Sequence, residues 1–121
     1  MHYNESEENY LETILMLSKK LPVVRSVDIA NELGFKKSSI SIAMKHLREK
    51  EYITVSDAGF ISLTESGQAI ADMVYERHSL ITKTLIMLGV PEEIAAEDAC
   101  RIEHVISRES FEAIKNHMTK S

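Results

Sequence analysis

Apolar residues recur at helical spacing almost from the start of the chain. Tyr10, Leu11, Ile14, Leu15 and Leu17 keep a helical period, which predicts a helix over residues 5 to 19 with Ser6 as its cap. The segment LPVVR interrupts it at Pro22. Ser26 then reads as the N-cap of a short helix, VDIANEL, which Gly34 ends. Lys37 and Ser38 open the next helix, SSISIAMKHLREKEY, with Ile40, Met44 and Leu47 facing inward. A short helix, a tight turn and a second helix with a basic outer face predict a helix-turn-helix. In ITVSDAGFISLT, Ile53 and Val55, then Phe60, Ile61 and Leu63, flank a Ser-Asp-Ala-Gly turn, as in a β-hairpin. Directly after a helix-turn-helix, such a hairpin is a wing.

The pattern then turns wholly helical. Thr64 caps a long helix, ESGQAIADMVYERHSLITKTLIMLG, ending at Gly89, with Gly67 weakening its first turns. Pro91 starts PEEIAAEDACRIEHVI, which runs to about Ile106. Ser107 starts the last helix, RESFEAIKNHM. Leu80, Leu85, Ile86, Met87, Leu88 and Ile94 are expected to build a small core and a dimer surface. The fold class expected is mainly α. A winged helix-turn-helix DNA-binding domain over residues 1–64 is followed by an all-helical dimerisation and metal-binding domain over residues 65–121.

Composition adds bounds. With 4 Gly and 2 Pro in 121 residues, long structured segments are expected. No run approaches the roughly 18 apolar residues of a membrane span, and the acidic, polar start MHYNESEENY is unlike a secretory leader. The single cysteine cannot form an internal disulfide, which suits a cytoplasmic protein without membrane partners.

The net charge of −5 argues against nucleic acid until its distribution is seen. Lys36, Lys37, Lys45, Arg48 and Lys50 face only Glu49 within residues 36–50, a local charge of +4. A basic stripe on an acidic body can bind a polyanion with one face and stay dissolved with the rest. Ser38, Ser39, Ser41, Ile42 and Lys45 are expected to enter the major groove of double-stranded DNA, Ile42 against a thymine methyl. Lys36, Lys37, Arg48 and Lys50 are expected on phosphates, and His46 belongs with this face.

The segment EDACRIEHVIS carries the candidate chemistry. Cys100, Glu103 and His104 stand at i, i+3 and i+4, one face of a helix. Thiol, carboxylate and imidazole together suit a first-row transition ion better than Ca²⁺ or Mg²⁺. His78 on the long helix and Glu12 on the first, with Asn9 one turn before it, extend the set over three helices. Singly, each has a plain reading as a surface polar group or, for Cys100, a small buried hydrophobe. His2 and His117 have no such companions. Two other classes stay open on the residues alone. One is a winged-helix regulator that needs no metal or senses an organic ligand. The other is a small metalloenzyme, although the chain has no Gly-rich phosphate loop and no nucleophile with a partnered base.

The chain resembles the DtxR/MntR family of metal-dependent bacterial repressors. The resemblance lies in ENYLETI, VDIANELGFKKSSISIAMKHLREKEYI, LTESGQAIADMVYERHSLITKTLIMLGV and EDACRIEHVIS, in that order along nearly the whole chain. It implies a homodimer, not an enzyme, that binds a palindromic operator when loaded with Fe²⁺ or Mn²⁺. Co²⁺, Ni²⁺ or Zn²⁺ can substitute in vitro. It also implies the ligands Glu12, His78, Cys100, Glu103 and His104, with Asn9 at the remaining position. Manganese members usually carry Asp and Glu at the Asn9 and Cys100 positions, and iron members Met and Cys. Thr82 stands where both branches usually have Glu, and Ala96 where the iron branch has His, so the iron-type ancillary site departs from the pattern. The SH3-like third domain of longer members is not expected, since the sequence ends at Ser121.

Overall fold

A computed structural model describes residues 5–120, so His2 lies outside the described residues. In chain order the elements are α1 (Glu5–Lys20), α2 (Ser26–Leu33), α3 (Lys37–Glu49), β1 (Ile53–Val55), β2 (Ile61–Leu63), α4 (Glu65–Met87), α5 (Glu92–Val105) and α6 (Arg108–Lys120). They form two compact units that part between Asp72 and Met73, within α4.

The first unit is a winged helix-turn-helix. Leu11, Ile14, Leu15 and Leu17 of α1 are buried, as are Ile29 and Ala30 of α2 and Ile40, Met44 and Leu47 of α3. Tyr10, expected with the apolar face of α1, is only half-buried. Ser6 lies inside α1 rather than capping it. Nor is Ser26 a cap: it is the first residue of α2, and Arg25 stands before it. The Arg25 N–H donates to Asp28 Oδ2 at 2.9 Å. That is the half of a capping box supplied by the acidic residue three positions into the helix. Gly34 closes α2 with φ 71°, and its N–H donates to the Ala30 carbonyl.

α3 ends at Glu49, short of the expected Tyr52. Glu51 turns the chain with φ 63°, a left-handed conformation that side chains other than glycine rarely take. Strands β1 and β2 pair antiparallel with Ile53 opposite Leu63 and Val55 opposite Ile61. Phe60 belongs to the turn, where its carbonyl accepts from Ser56 N–H at 2.9 Å and its N–H donates to Ser56 Oγ at 3.1 Å. Ile61 N–H also donates to the Val24 carbonyl at 2.7 Å, which ties the wing to the segment after α1.

The end of α3 is clamped to the start of α4. Thr64 Oγ1 donates to the Glu51 carbonyl at 2.7 Å and accepts the Gly67 N–H at 3.1 Å, so Thr64 caps α4 as expected. A Cβ on Gly67 would overlap the Tyr52 carbonyl oxygen. The glycine therefore permits a close backbone approach. Gly→Ala in an open helix stabilises by about 1 kcal/mol, whereas here Gly67→Ala should destabilise by about 2 kcal/mol through overpacking. Urea denaturation checks the sign: a more stable variant would show that the turn yields freely.

In the second unit the buried apolar side chains are Val74 and Ile81 of α4, Ala95 and Ala99 of α5 and Phe111 of α6. The residues expected to build both a small core and a dimer surface divide between the two. Leu80 and Leu85 are half-buried, while Ile86, Met87, Leu88 and Ile94 are exposed. They cluster at the α4–α5 junction, where Gly89 turns with φ 103°, beyond the reach of the inward-facing stripe. Ser107 starts α6 as expected, its Oγ accepting from Ser110 N–H at 3.0 Å. Among the described residues, no helix is long and apolar enough to cross a membrane.

Candidate metal centre and DNA-binding face

Helix α5 has Ala95 and Ala99 buried on the stripe that also carries Glu103. A small-residue stripe lets the helix sit close to its neighbours, and it carries Glu103 inward with it. Glu103 is 1% exposed, and both carboxylate oxygens are buried without a hydrogen bond among the described residues. Its Oε1 lies 3.5 Å from His78 Nδ1 and 3.8 Å from His104 Nε2. These are ion-pair separations, too long for good hydrogen bonds. Cys100, which is exposed, places Sγ 3.8 Å from His78 Nδ1. One ligand atom each from His78, Cys100 and Glu103 falls within a 4.8 Å group.

The spacing fits a shared ion. Bonds of about 2.0–2.3 Å to one tetrahedral centre leave ligand atoms roughly 3.3–3.8 Å apart. The donor set fits as well: one carboxylate, imidazole nitrogens and a sulfur suit a divalent transition ion. A carboxylate taken out of water without donors costs free energy that a cation can offset.

The second unit thus brings together four of the six residues expected at the metal. The other two, Asn9 and Glu12, stand one turn apart on α1 in the first unit, each half-buried. Thr13 Oγ1 donates to the main-chain carbonyl of Asn9 at 2.8 Å. Thr82, one turn past His78, has a buried hydroxyl with no hydrogen-bond partner among the described residues.

The outer face of α3 is open. Lys36, Lys37, Ser38, Ser39, Ser41, Lys45 and Arg48 are all exposed, and Ile42 is 59% exposed among them. Ile40, Met44 and Leu47 anchor the opposite face. Lys50 differs from the expectation. It is exposed, but its Nζ pairs with the Glu7 carboxylate on α1, and that hydrogen bond holds the ammonium above its usual pKa. The sequence reading also passed over Arg77, whose guanidinium reaches the end of α5. Its position beside His78 was the available signal.

A winged helix with a basic outer face, joined to a helical unit that gathers soft and hard metal ligands, defines a metal-responsive DNA-binding regulator. The comparisons with known proteins agree. Residues 2–59 match the model of the iron dependent repressor N-terminal DNA binding domain. Residues 64–120 match that of the iron dependent repressor metal binding and dimerisation domain. The transcriptional regulator MntR of Escherichia coli is 32% identical over 94% of this chain and 74% of its own length. An uncharacterised HTH-type transcriptional regulator of Methanocaldococcus jannaschii is 32% identical over 97% of this chain and 95% of its own. The crystal structure of T. acidophilum IdeR superposes with a TM-score of 0.80 at 25% identity, covering 93% of this chain, which spans 53% of that longer one. The chain belongs to the DtxR/MntR family of metal-dependent transcriptional repressors.

Proposed function

We propose that this chain represses transcription in the cytoplasm as a homodimer on a palindromic operator, with Fe²⁺ or Mn²⁺ as corepressor. The observation that carries the reading is the buried, hydrogen-bond-free carboxylate of Glu103 among two imidazoles and a thiol. The proposed ligands are Glu12, His78, Cys100, Glu103 and His104, with the side-chain amide oxygen of Asn9 at the remaining position. The thiolate favours Fe²⁺, and the lack of charge on Asn9 lowers the attraction for Mn²⁺ relative to an aspartate.

A bound divalent cation supplies the positive charge that Glu103 lacks. The protein does the rest. Glu12 stands on α1, within the DNA-binding unit, and the other four ligands stand on α4 and α5. Shared ligation restricts the arrangements the two units adopt. With Ile86, Met87, Leu88 and Ile94 offering apolar surface for a second copy, it also fixes the spacing of two recognition helices near a multiple of the roughly 34 Å DNA repeat. Ser38, Ser39, Ser41, Ile42 and Lys45 read bases, while Lys36, Lys37 and Arg48 hold phosphates. Linkage makes the coupling reciprocal, so operator DNA tightens metal binding by the same factor.

The test is operator affinity, on duplexes selected from a random pool, with and without metal under anaerobic conditions. Micromolar Fe²⁺, Mn²⁺ or Co²⁺ should raise affinity at least about tenfold. Lys37→Ala should retain metal affinity and lower the salt slope by about one unit. Equal affinity with metal and with chelator would favour a metal-independent regulator instead.

A further inference from the structure

Arg77 follows Glu76 and precedes His78 on α4, so its side chain leaves the helix roughly 100° around from the candidate ligand. Its Nη1 donates to two main-chain carbonyls, of Glu103 at 3.2 Å and of Ile106 at 3.1 Å. Both lie at the C-terminal end of α5, where helix carbonyls lack partners within the helix and carry partial negative charge. The guanidinium also lies 5.6 Å from the ring centroid of Phe111, a buried residue of α6. One side chain thus joins three helices at the level of the ligands. Glu103 is engaged twice: Arg77 holds its main chain, and its carboxylate stands in the ligand cluster.

We propose that Arg77 is a positioning residue for the metal centre. It sets the register of α5 against α4, and so the distances from His78 to Cys100 and Glu103. The inference rests on the metal-centre reading. Ligand distances in a metal site must hold to within about 0.2 Å, so a small slide of α5 is enough to spoil the geometry. The planar guanidinium suits the place. It bridges two carbonyls through one nitrogen while lying over the Phe111 ring, and it is more weakly hydrated than an ammonium.

A second ion pair gives the control. Lys115 Nζ of α6 meets Glu76 Oε2 of α4 at 2.8 Å on the exposed side. It too links α6 to α4, but it touches no ligand-bearing main chain.

The test is anaerobic Co²⁺ titration of the full chain, following affinity and the cobalt absorption bands, with circular dichroism for folding. Arg77→Met should weaken Co²⁺ binding by about 10–100-fold, the range for residues that orient ligands. It should also alter the cobalt bands. Arg77→Lys should recover part of both, and Lys115→Met should stay within about twofold of the parent. A folded Arg77→Met protein with the parent's affinity and spectrum would overturn the proposal, leaving Arg77 a helix-end cap only. If Arg77→Met does not fold, Arg77→Lys decides: parent affinity and an unchanged spectrum there overturn it as well. A parent chain with no cobalt signal overturns the metal-centre reading itself, and this proposal with it.

Discussion

Glu103→Leu should abolish the metal response and at the same time stabilise the metal-free protein. The two effects come from one fact. The carboxylate is 1% exposed, and neither oxygen accepts a hydrogen bond among the described residues. A buried polar group without a partner costs about 1–3 kcal/mol, and more if charged. Leucine fills similar volume and removes that cost, as apolar replacements of buried charges often do. Thermal or urea denaturation in chelator should therefore show a gain of about 1–3 kcal/mol. Metal affinity should fall by at least about 100-fold, on the scale of breaking a buried charged contact. Glu103→Gln separates charge from shape: it keeps the length of the side chain and should lose the metal response all the same. A leucine variant that is less stable without metal, yet still responds to it, would make Glu103 a structural residue.

That pairing of stability with function is invisible in the sequence. The run EDACRIEHVIS places Cys100, Glu103 and His104 on one helical face, and the spacing alone gives that much. How deeply Glu103 is buried depends on how three helices meet, which no local pattern encodes. The winged helix was more legible. Ile40, Met44 and Leu47, Gly34 after α2, and Thr64 at the start of α4 all sit where their residue types demand. Ser26 failed as a cap because the N–H groups of Asp28 and Ile29, which it would have accepted, already donate to the Arg25 carbonyl, so the helix begins one residue earlier. The end of α3 was misplaced because nothing in REKEY marks a left-handed residue, and Glu51 takes that conformation without being glycine. The aliphatic run at the end of α4 was read as serving both a core and a dimer surface. Its exposure at Ile86, Met87 and Leu88 follows from their place at a helix end, where no neighbour among the described residues covers them. Arg77 was passed over for a similar reason. A cation inside a charged stretch reads as surface until its two carbonyl partners are located 26 and 29 residues away.

Cys100 should give a sulfur-to-cobalt charge-transfer band when the protein binds Co²⁺, and Cys100→Ser should remove it entirely. The thiol is exposed, with Sγ 3.8 Å from His78 Nδ1, and its ligand group includes Glu103. A divalent ion deprotonates a ligating thiol, so the bound form is a thiolate. Thiolate sulfur is soft and ranks Fe²⁺ and Co²⁺ above Mn²⁺, which prefers carboxylate and water. The neutral amide of Asn9, one turn before Glu12, shifts the balance the same way. Cys100→Glu combined with Asn9→Asp should therefore move the Mn²⁺-to-Co²⁺ affinity ratio toward manganese by at least about tenfold, or roughly 1.4 kcal/mol. The single exchanges should each move it part of the way, and the two need not add if both residues touch one ion. If the parent binds Co²⁺ without the band, the thiol lies outside the coordination sphere. The softness argument for iron would then fail, and the remaining carboxylates and imidazoles would favour manganese.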